Sequence, residues 1–245
     1  MPTIREEYEP AAQRARQESS SYERYLLDLT ERECEARRSN RIERHLRESR
    51  LFLEKSLSTL DLKRLPSKAA QQVRFLLEGD FVSRCENVLI FGNPGSGKTH
   101  VACAIGQEMI RAGRKVVFTS CGLLVQDLLA AKRDLKLRGF LKKISRYQVV
   151  ILDDIGYVQY SREEMEVLFA LLADRYERGS VVLTSNLAFS GWETIFKDPM
   201  TTAAAIDRLV HHSVILELNV PSYRAEQAKK AGQKPPGPAG PSKEV

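Results

Sequence analysis

A chain of 245 residues with a formal net charge of +6 is long enough for one sizeable α/β domain and a small additional module. It contains no apolar run of membrane-spanning length, and its first ten residues, MPTIREEYEP, are too charged for a signal peptide. Its four cysteines form no C-x-x-C pair and have no neighbouring histidine set, which argues against a disulfide framework and a zinc site. We therefore expect a soluble, cytoplasmic protein with reduced thiols and no membrane partner.

The N-terminal region contains a long predicted helix with a basic exterior. From Tyr22 to about Leu57 there is neither proline nor glycine, and Ile42, Leu46 and Leu53 recur at spacings of four and seven, which places them on one helical face. The other faces carry clustered arginines, namely Arg37, Arg38, Arg41, Arg44, Arg47 and Arg50. After a proline break, a second helix is predicted from Ser67 to about Leu77.

Five short β-rich runs then alternate with spacers that are long enough for helices. The runs are Val88–Phe91, Val116–Thr119, Val149–Leu152, Val181–Leu183 and Val214–Leu218. This alternation predicts an α/β fold, in which a parallel five-stranded sheet is covered by helices on both faces. The Pro/Gly-rich residues 229–245 lack periodic apolar positions and are expected to be disordered.

The first predicted strand leads into the motif G-x-x-x-x-G-K-[ST] at Gly92–Thr99, and a helix-like segment follows. Glycines in such a loop let backbone N–H groups converge on phosphate oxygens, and the helix adds its positive N-terminal end. Lys98 is expected to reach the β- and γ-phosphates, and Thr99 to ligate Mg²⁺. The predicted nucleotide-binding residues are Gly92, Asn93, Pro94, Gly95, Ser96, Gly97, Lys98, Thr99 and His100. A glycine turn without a ligand is the alternative.

Polar residues follow the third and fourth predicted strands. VVILDD ends on Asp153, expected to hold Mg²⁺, and Asp154, expected to orient and deprotonate an attacking water. VVLTSN ends on Asn186, which reaches the same sheet edge if its strand is inserted between the first and third. Asn186 would then hydrogen-bond the γ-phosphate or the lytic water. Solvated strand-end acids and an asparagine that turns the chain are the alternatives.

Two arginines near the end of the chain are candidates to neutralise charge in a transition state. Arg208 lies in AAIDRLVHH and Arg224 in PSYR. One of them would act across a subunit boundary and the other within its own chain. An ordinary surface salt bridge is the alternative for either.

In their order, the segments NVLIFGNPGSGKTHVA, VVILDDIGY, VVLTSN, AAIDRLVHH and PSYR resemble the IstB family of insertion-sequence helper ATPases, over roughly Tyr22 to Arg224. The resemblance implies an AAA+ P-loop NTPase related to bacterial helicase loaders, with ATP and Mg²⁺ as cofactors and a transposase as partner. It implies that Asn186 is the sensor-1 residue, Arg208 the arginine finger and Arg224 the sensor-2 residue. Few residues follow Arg224, so little or no C-terminal lid is expected.

We expect three regions in the chain. Residues 1–65 would form a small all-helical N-terminal domain, residues 66–228 the AAA+ ATPase domain, and residues 229–245 the tail. A second basic cluster lies between the second and third strands, opposed in the local sequence by Asp134 alone. Its members are Lys132, Arg133, Lys136, Arg138, Lys142 and Lys143. In the context of the resemblance, this cluster and the arginines at 37, 38, 41, 44 and 47 are candidate contacts to duplex DNA phosphates, with a solvated helix face as the alternative for each.

Together these features predict an ATP-dependent, DNA-binding ATPase that self-assembles on target DNA, remodels it and recruits a transposase. A bacterial replicative helicase loader is the first alternative. Asp154 stands where a glutamate is more usual, so a nucleotide-dependent DNA-binding switch with negligible turnover is the second.

Overall fold

The structure is a computed structural model that describes residues 1–156, 160–188, 191–192, 199–223 and 225–226. For residues 199–202, 204 and 205 it describes the backbone alone. Five parallel strands form one sheet in the order β2-β3-β4-β1-β5. They are β1 (Asn87–Gly92), β2 (Val116–Ser120), β3 (Val149–Ile155), β4 (Ser180–Ser185) and β5 (Ser213–Leu218). The predicted parallel sheet is confirmed, as is the insertion of β4 between β1 and β3.

The helices lie before the sheet and between its strands. They are α1 (Pro2–Gln17), α2 (Tyr22–Glu48), α3 (Ser67–Leu77), α4 (Asp80–Ser83), α5 (Lys98–Arg111), α6 (Cys121–Arg133), α7 (Leu137–Ile144), α8 (Arg162–Arg175) and α9 (Pro199–Val210). Short 3-10 helices at Leu57–Thr59 and Leu62–Arg64 interrupt the segment between α2 and α3. Among the described residues, no helix is both long and apolar enough to cross a membrane.

The hydrophobic core occupies both faces of the sheet. Successive strand residues point to opposite faces, and in β1 Leu89 and Phe91 join the cluster formed with α6 to α9. Val88 and Ile90 join the opposite cluster, which contains apolar residues of α3, α4 and α5. The central strands are therefore buried on both sides, which is why they are continuous apolar runs in the sequence.

The long N-terminal helix ends at Glu48, nine residues before the predicted end near Leu57. The carbonyl of Ser49 accepts a hydrogen bond from the backbone N–H of Phe118 in β2 at 2.8 Å, and Leu51 enters the core at 7 % exposure. These tertiary interactions overcome local helix propensity. Leu53 is consequently half exposed, and its predicted place on an apolar helical stripe is wrong.

The remaining stripe residues, Ile42 and Leu46, do pack against the core cluster on the α5 side of the sheet. The other half of α2 packs against α1, and the backbone N–H of Ile4 donates to the carboxylate of the buried Glu33 at 3.2 Å. The N-terminal region is therefore helical, as predicted, and α2 carries its arginines from this hairpin to the edge of the sheet.

Two cysteines lie deep in the core. Burial raises the pKa of the Cys103 thiol and of the Cys121 thiol to about 11 in each case. Both thiols therefore remain protonated at neutral pH, and a protonated thiol is a poor nucleophile and metal ligand.

Candidate nucleotide site

The P-loop connects the end of β1 to the start of α5. Gly95 and Gly97 have φ of +82° and +95°, a region that strongly favours glycine. The ammonium group of Lys98 donates to the carbonyl oxygens of Gly92 at 2.8 Å and Asn93 at 3.1 Å. The lysine is thus folded over the loop, with its charge at the N-terminus of α5, where anions are stabilised.

A hydrogen-bond network joins the P-loop to the ends of β3 and β4. The hydroxyl of Thr99 donates to both carboxylate oxygens of Asp153 at 3.0 Å, and the hydroxyl of Thr184 donates to one of them at 2.7 Å. Thr184 also accepts from the backbone N–H of Asp154 at 2.9 Å. No role was predicted for Thr184 of VVLTSN, and the structure shows that its hydroxyl bridges the two adjacent aspartates.

This network offers the oxygen donors that a hard cation needs. Asp153 is 7 % exposed, and the Thr99 hydroxyl lies against its carboxylate. Mg²⁺ prefers oxygen ligands and is usually held by one or two protein groups together with substrate phosphates. Thr99 and Asp153 therefore fit the predicted Mg²⁺ site, beside the loop that would hold those phosphates.

Asp154 and Asn186 lie at the same edge of the sheet. Asp154 is exposed and has φ of +62°, which is uncommon for a residue with a side chain and is tolerated best by aspartate and asparagine. Asn186 directly follows β4, and within the described part of the chain its amide oxygen is buried without a hydrogen-bond partner. A buried, unsatisfied acceptor next to a phosphate-binding loop is suited to a ligand or a water molecule.

A cavity of about 510 Å³ opens over the P-loop and is lined by four parts of the chain. Residues 94–100 form the floor, and Asp154 lies at one side. The segment between α2 and α3 contributes Thr59, Asp61 and Arg64, and Tyr223 comes from beyond β5. Sequence reasoning missed the segment between α2 and α3, which carries no phosphate-binding motif, and in PSYR it singled out Arg224 but not Tyr223.

His100 lines the cavity but also has a structural partner. Its Nε2 lies 3.1 Å from both the Thr59 hydroxyl and the carbonyl oxygen of Ser56. The predicted nucleotide-binding residue therefore also holds the segment between α2 and α3 against the start of α5.

Arg208 lies away from the cavity of its own chain. Its backbone carbonyl accepts from Asn87 at 3.4 Å, at the amino end of β1, whereas the P-loop follows the carboxyl end. Its guanidinium lies 4.5 Å from the centroid of the Phe169 ring. Arg224 lies outside the described residues.

The structure changes the charge balance of the cluster between β2 and β3. Helix α8 brings Glu166 to 2.6 Å from Lys132 and Glu163 to 3.9 Å from Arg133, while Lys136 lies 3.5 Å from Asp134. The outer face of α7 has no such acids. Its residues Arg138, Lys142 and Lys143 are exposed, and none makes an ion pair with any described residue.

The arginine-rich part of α2 is largely exposed. Arg37 donates to the buried carboxylate of Glu33 at 2.6 Å and is thereby engaged within the N-terminal hairpin. The others are exposed on α2 without an ion pair among the described residues: Arg38, Arg41, Arg44 and Arg47.

Comparison with known proteins places this chain in a family. A family model described as IstB-like ATP binding protein matches residues 1–231. An insertion-sequence protein of Sinorhizobium fredii, named as a candidate ATP-binding protein, is 40 % identical over 232 residues, which are 94 % of this chain and 78 % of the relative. The candidate ATP-binding protein of insertion sequence IS21 from Pseudomonas aeruginosa is 37 % identical over 224 residues, which are 91 % of this chain and 84 % of the relative.

Solved structures show the same fold at low sequence identity. The DnaC helicase loader is 18 % identical, with a TM-score of 0.58 over 67 % of this chain and 97 % of that protein. DnaA from Aquifex aeolicus, bound to AMPPCP, is 19 % identical, with a TM-score of 0.59 over 75 % of this chain and 56 % of DnaA. These similarities confirm the predicted AAA+ type of P-loop fold.

Proposed function

Because the chain belongs to the family of IstB-like ATP binding proteins, we propose that it is a DNA-binding ATPase that assembles on duplex DNA with ATP and recruits a transposase. The observation that carries the proposal is the network of Thr99, Asp153, Thr184 and Asp154 beside the P-loop. It supports a site that binds a nucleoside triphosphate with Mg²⁺ and positions the Asp154 carboxylate as a general base for hydrolysis.

In the proposed site, the P-loop backbone and Lys98 bind the phosphates of ATP. Thr99 and Asp153 would hold Mg²⁺, which would supply positive charge to neutralise that of the phosphates. The cavity over the loop is large enough for the nucleoside, and its polar wall is formed by Thr59, Asp61 and Arg64.

Hydrolysis is assigned to the two groups at the edge of the sheet. Asp154 accepts a proton from the water that attacks the γ-phosphorus, while ADP leaves. The amide of Asn186 orients this water or the γ-phosphate. A water would donate to its otherwise unpaired oxygen, whereas the phosphate would accept from the amide N–H. Asp154 lines the cavity over the P-loop, where its carboxylate can meet such a water.

Two arginines complete the proposed site from different positions. Arg208 acts in the site of an adjacent subunit, since its backbone lies at the opposite end of β1 from its own P-loop. Arg224 acts within its own chain, next in sequence to the cavity-lining Tyr223. A site shared between subunits would make ATP a bridge that holds the oligomer together.

Thr184→Val is expected to lower the turnover number for ATP about tenfold, because valine has the same shape but cannot hydrogen-bond Asp153 or the Asp154 backbone. The Michaelis constant should change little, since the phosphates do not touch this residue in the proposed site. Thr184→Ser keeps the hydroxyl and serves as the control in steady-state ATPase assays. Equal turnover in Thr184→Val and the wild type would contradict the role assigned to the bridge.

Duplex DNA is proposed to bind the exposed basic faces of α7 and α2. Phosphate contacts of this kind are independent of sequence and weaken steeply with salt. The outer face of α7 is the stronger candidate in its cluster, since Lys132, Arg133 and Lys136 already face carboxylates.

Replacing Arg138, Lys142 and Lys143 together by alanine is expected to lower the salt dependence of DNA affinity, with the slope of log K against log[salt] falling by about 2 to 3. The matched control replaces Lys132, Arg133 and Lys136, which changes the net charge equally. Fluorescence anisotropy with labelled duplex at several salt concentrations measures both. Equal losses in the two triple variants would show that net charge, rather than the α7 face, governs binding.

The proposed assembly is tested most directly by electron microscopy of the full chain with duplex DNA and a non-hydrolysable ATP analogue. Discrete oligomers on DNA that disappear without the analogue are expected. Monomers on bare DNA under all conditions would contradict the proposal. A pull-down with a candidate transposase, with and without the assembled complex, tests recruitment.

Two other functions have specific support. A helicase loader is one alternative, since the DnaC helicase loader has the same fold at 18 % identity. Stable, DNA-bound oligomers without any helicase favour the transposition role. The short side chain of Asp154, where a glutamate is more usual, favours a nucleotide-dependent binding switch. The rate of ATP hydrolysis with and without duplex DNA distinguishes this switch from a working ATPase.

A further inference from the structure

The segment that follows β5 is attached to the P-loop. We call its described residues, 220–223 and 225–226, the strap. The backbone N–H of Tyr223 donates to the carbonyl oxygen of Gly95 at 3.0 Å. A Cβ atom on Gly95 would collide with the side chain of Ser222, so the strap lies directly on the loop.

Arg64 holds the strap from the other side of the cavity. Its guanidinium lies 4.9 Å from the centroid of the Tyr223 ring and donates to the carboxylate of Glu226 at 2.9 Å. The side chains of Arg64 and Glu226 are 29 % and 40 % exposed, so the pair is only partly screened by water. One side chain therefore contacts the strap on either side of position 224.

The segment that carries Arg64 is itself fastened to α5, the helix that begins in the P-loop. The side-chain amide of Gln107, which is 2 % exposed, donates to the carbonyl oxygens of Phe52 and Lys55 at 3.1 Å each. His100 adds the contacts to Ser56 and Thr59 described above. Arg64 thus extends from a segment that is fastened to α5, and it contacts the strap, which lies on the P-loop.

From this geometry we infer that Arg64 is a positioning residue of the nucleotide site. It keeps the strap on the P-loop and so maintains the wall of the cavity that Tyr223 provides. The inference rests on the proposed nucleotide binding. We call the contacts of Arg64 with Tyr223 and Glu226 the clasp. In sequence Arg224 stands between Tyr223 and Ala225, so the clasp would also hold the backbone that carries Arg224 near the nucleotide site.

Titration of the full chain with a fluorescent ATP analogue tests the clasp. Arg64→Ala should weaken binding about tenfold, the combined loss of a partly buried ion pair and a cation–π contact. Lys63→Ala, an exposed neighbour in the same short turn, should bind like the wild type. Exchanging the charges, Arg64→Glu with Glu226→Arg, should recover affinity that each single change loses, which a general structural defect would not allow.

The clasp is overturned if Arg64→Ala binds as tightly as Lys63→Ala, or if the charge exchange binds no better than the single variants. Failure of the wild type to bind the analogue would instead refute the proposed nucleotide function. Thermal unfolding checks that the variants fold. If Arg64→Ala does not, Glu226→Ala removes the same ion pair from the other partner, and wild-type affinity in that variant overturns the clasp.

Discussion

Lys98→Ala is expected to abolish ATP-dependent assembly on duplex DNA and to weaken ATP binding by at least about 100-fold. The ammonium group is proposed to donate charge-assisted hydrogen bonds to two phosphates, each contributing about 1.5–3 kcal/mol. Titration with a fluorescent ATP analogue measures the affinity, and sedimentation with labelled duplex measures assembly.

The principal concern with this variant is the loop itself, because Lys98 also donates to the carbonyls of Gly92 and Asn93. Lys98→Arg retains the charge and serves as the first control, and Lys63→Ala as the second. Thermal unfolding shows whether the P-loop change destabilises the fold. Nucleotide-dependent assembly that survives Lys98→Ala in a folded protein would refute the phosphate contacts proposed for Lys98, and assembly that needs no nucleotide would refute the proposed role of ATP.

Arg208→Ala is expected to reduce ATP hydrolysis about a thousandfold, the scale typical of an arginine that stabilises a transition state from a neighbouring subunit. ATP affinity should be nearly unchanged, because Arg208 lies at the opposite end of β1 from its own P-loop. Arg178→Ala, an exposed arginine on the turn before β4, provides a control of equal charge.

A mixing experiment distinguishes action between subunits from action within one. Asp154→Asn should bind ATP without hydrolysing it. A complete site needs an intact Asp154 from one subunit and an intact Arg208 from its neighbour, so an equal mixture of Asp154→Asn and Arg208→Ala has complete sites at about one quarter of head-to-tail interfaces. Activity in the mixture well above that of either variant alone is the expected result. A mixture no more active than its components would mean that Arg208 does not serve the adjacent site.

The parts of the molecule that could be predicted are those encoded by short spacings. The P-loop depends on glycines within eight residues of one another, and the strands on runs of three or four apolar residues. The position of Asp153 at the end of β3 follows from the same pattern. Each of these features is largely local, so neighbouring residues determine it whatever the remainder of the chain does.

Contacts between distant segments could not be predicted in this way. Thr184 lies 31 residues from Asp153, and its hydroxyl reaches that carboxylate only because β4 pairs directly with β3. Glu163 and Glu166 offset the charge of the α6 lysine and arginine because α8 packs beside α6. The early end of α2 likewise depends on a hydrogen bond from β2, which lies about seventy residues later.

By itself, the sequence determined the P-loop, the order of strands and helices, and the two acids at the carboxyl end of β3. Their spacing along the chain is sufficient for these features. Only the tertiary structure decided that the nucleotide cavity has walls from the segment around Arg64 and from the strap, and that Arg208 lies away from its own P-loop. Burial of the sheet on both faces sets these positions, because strand order and helix packing bring together residues that no local pattern connects.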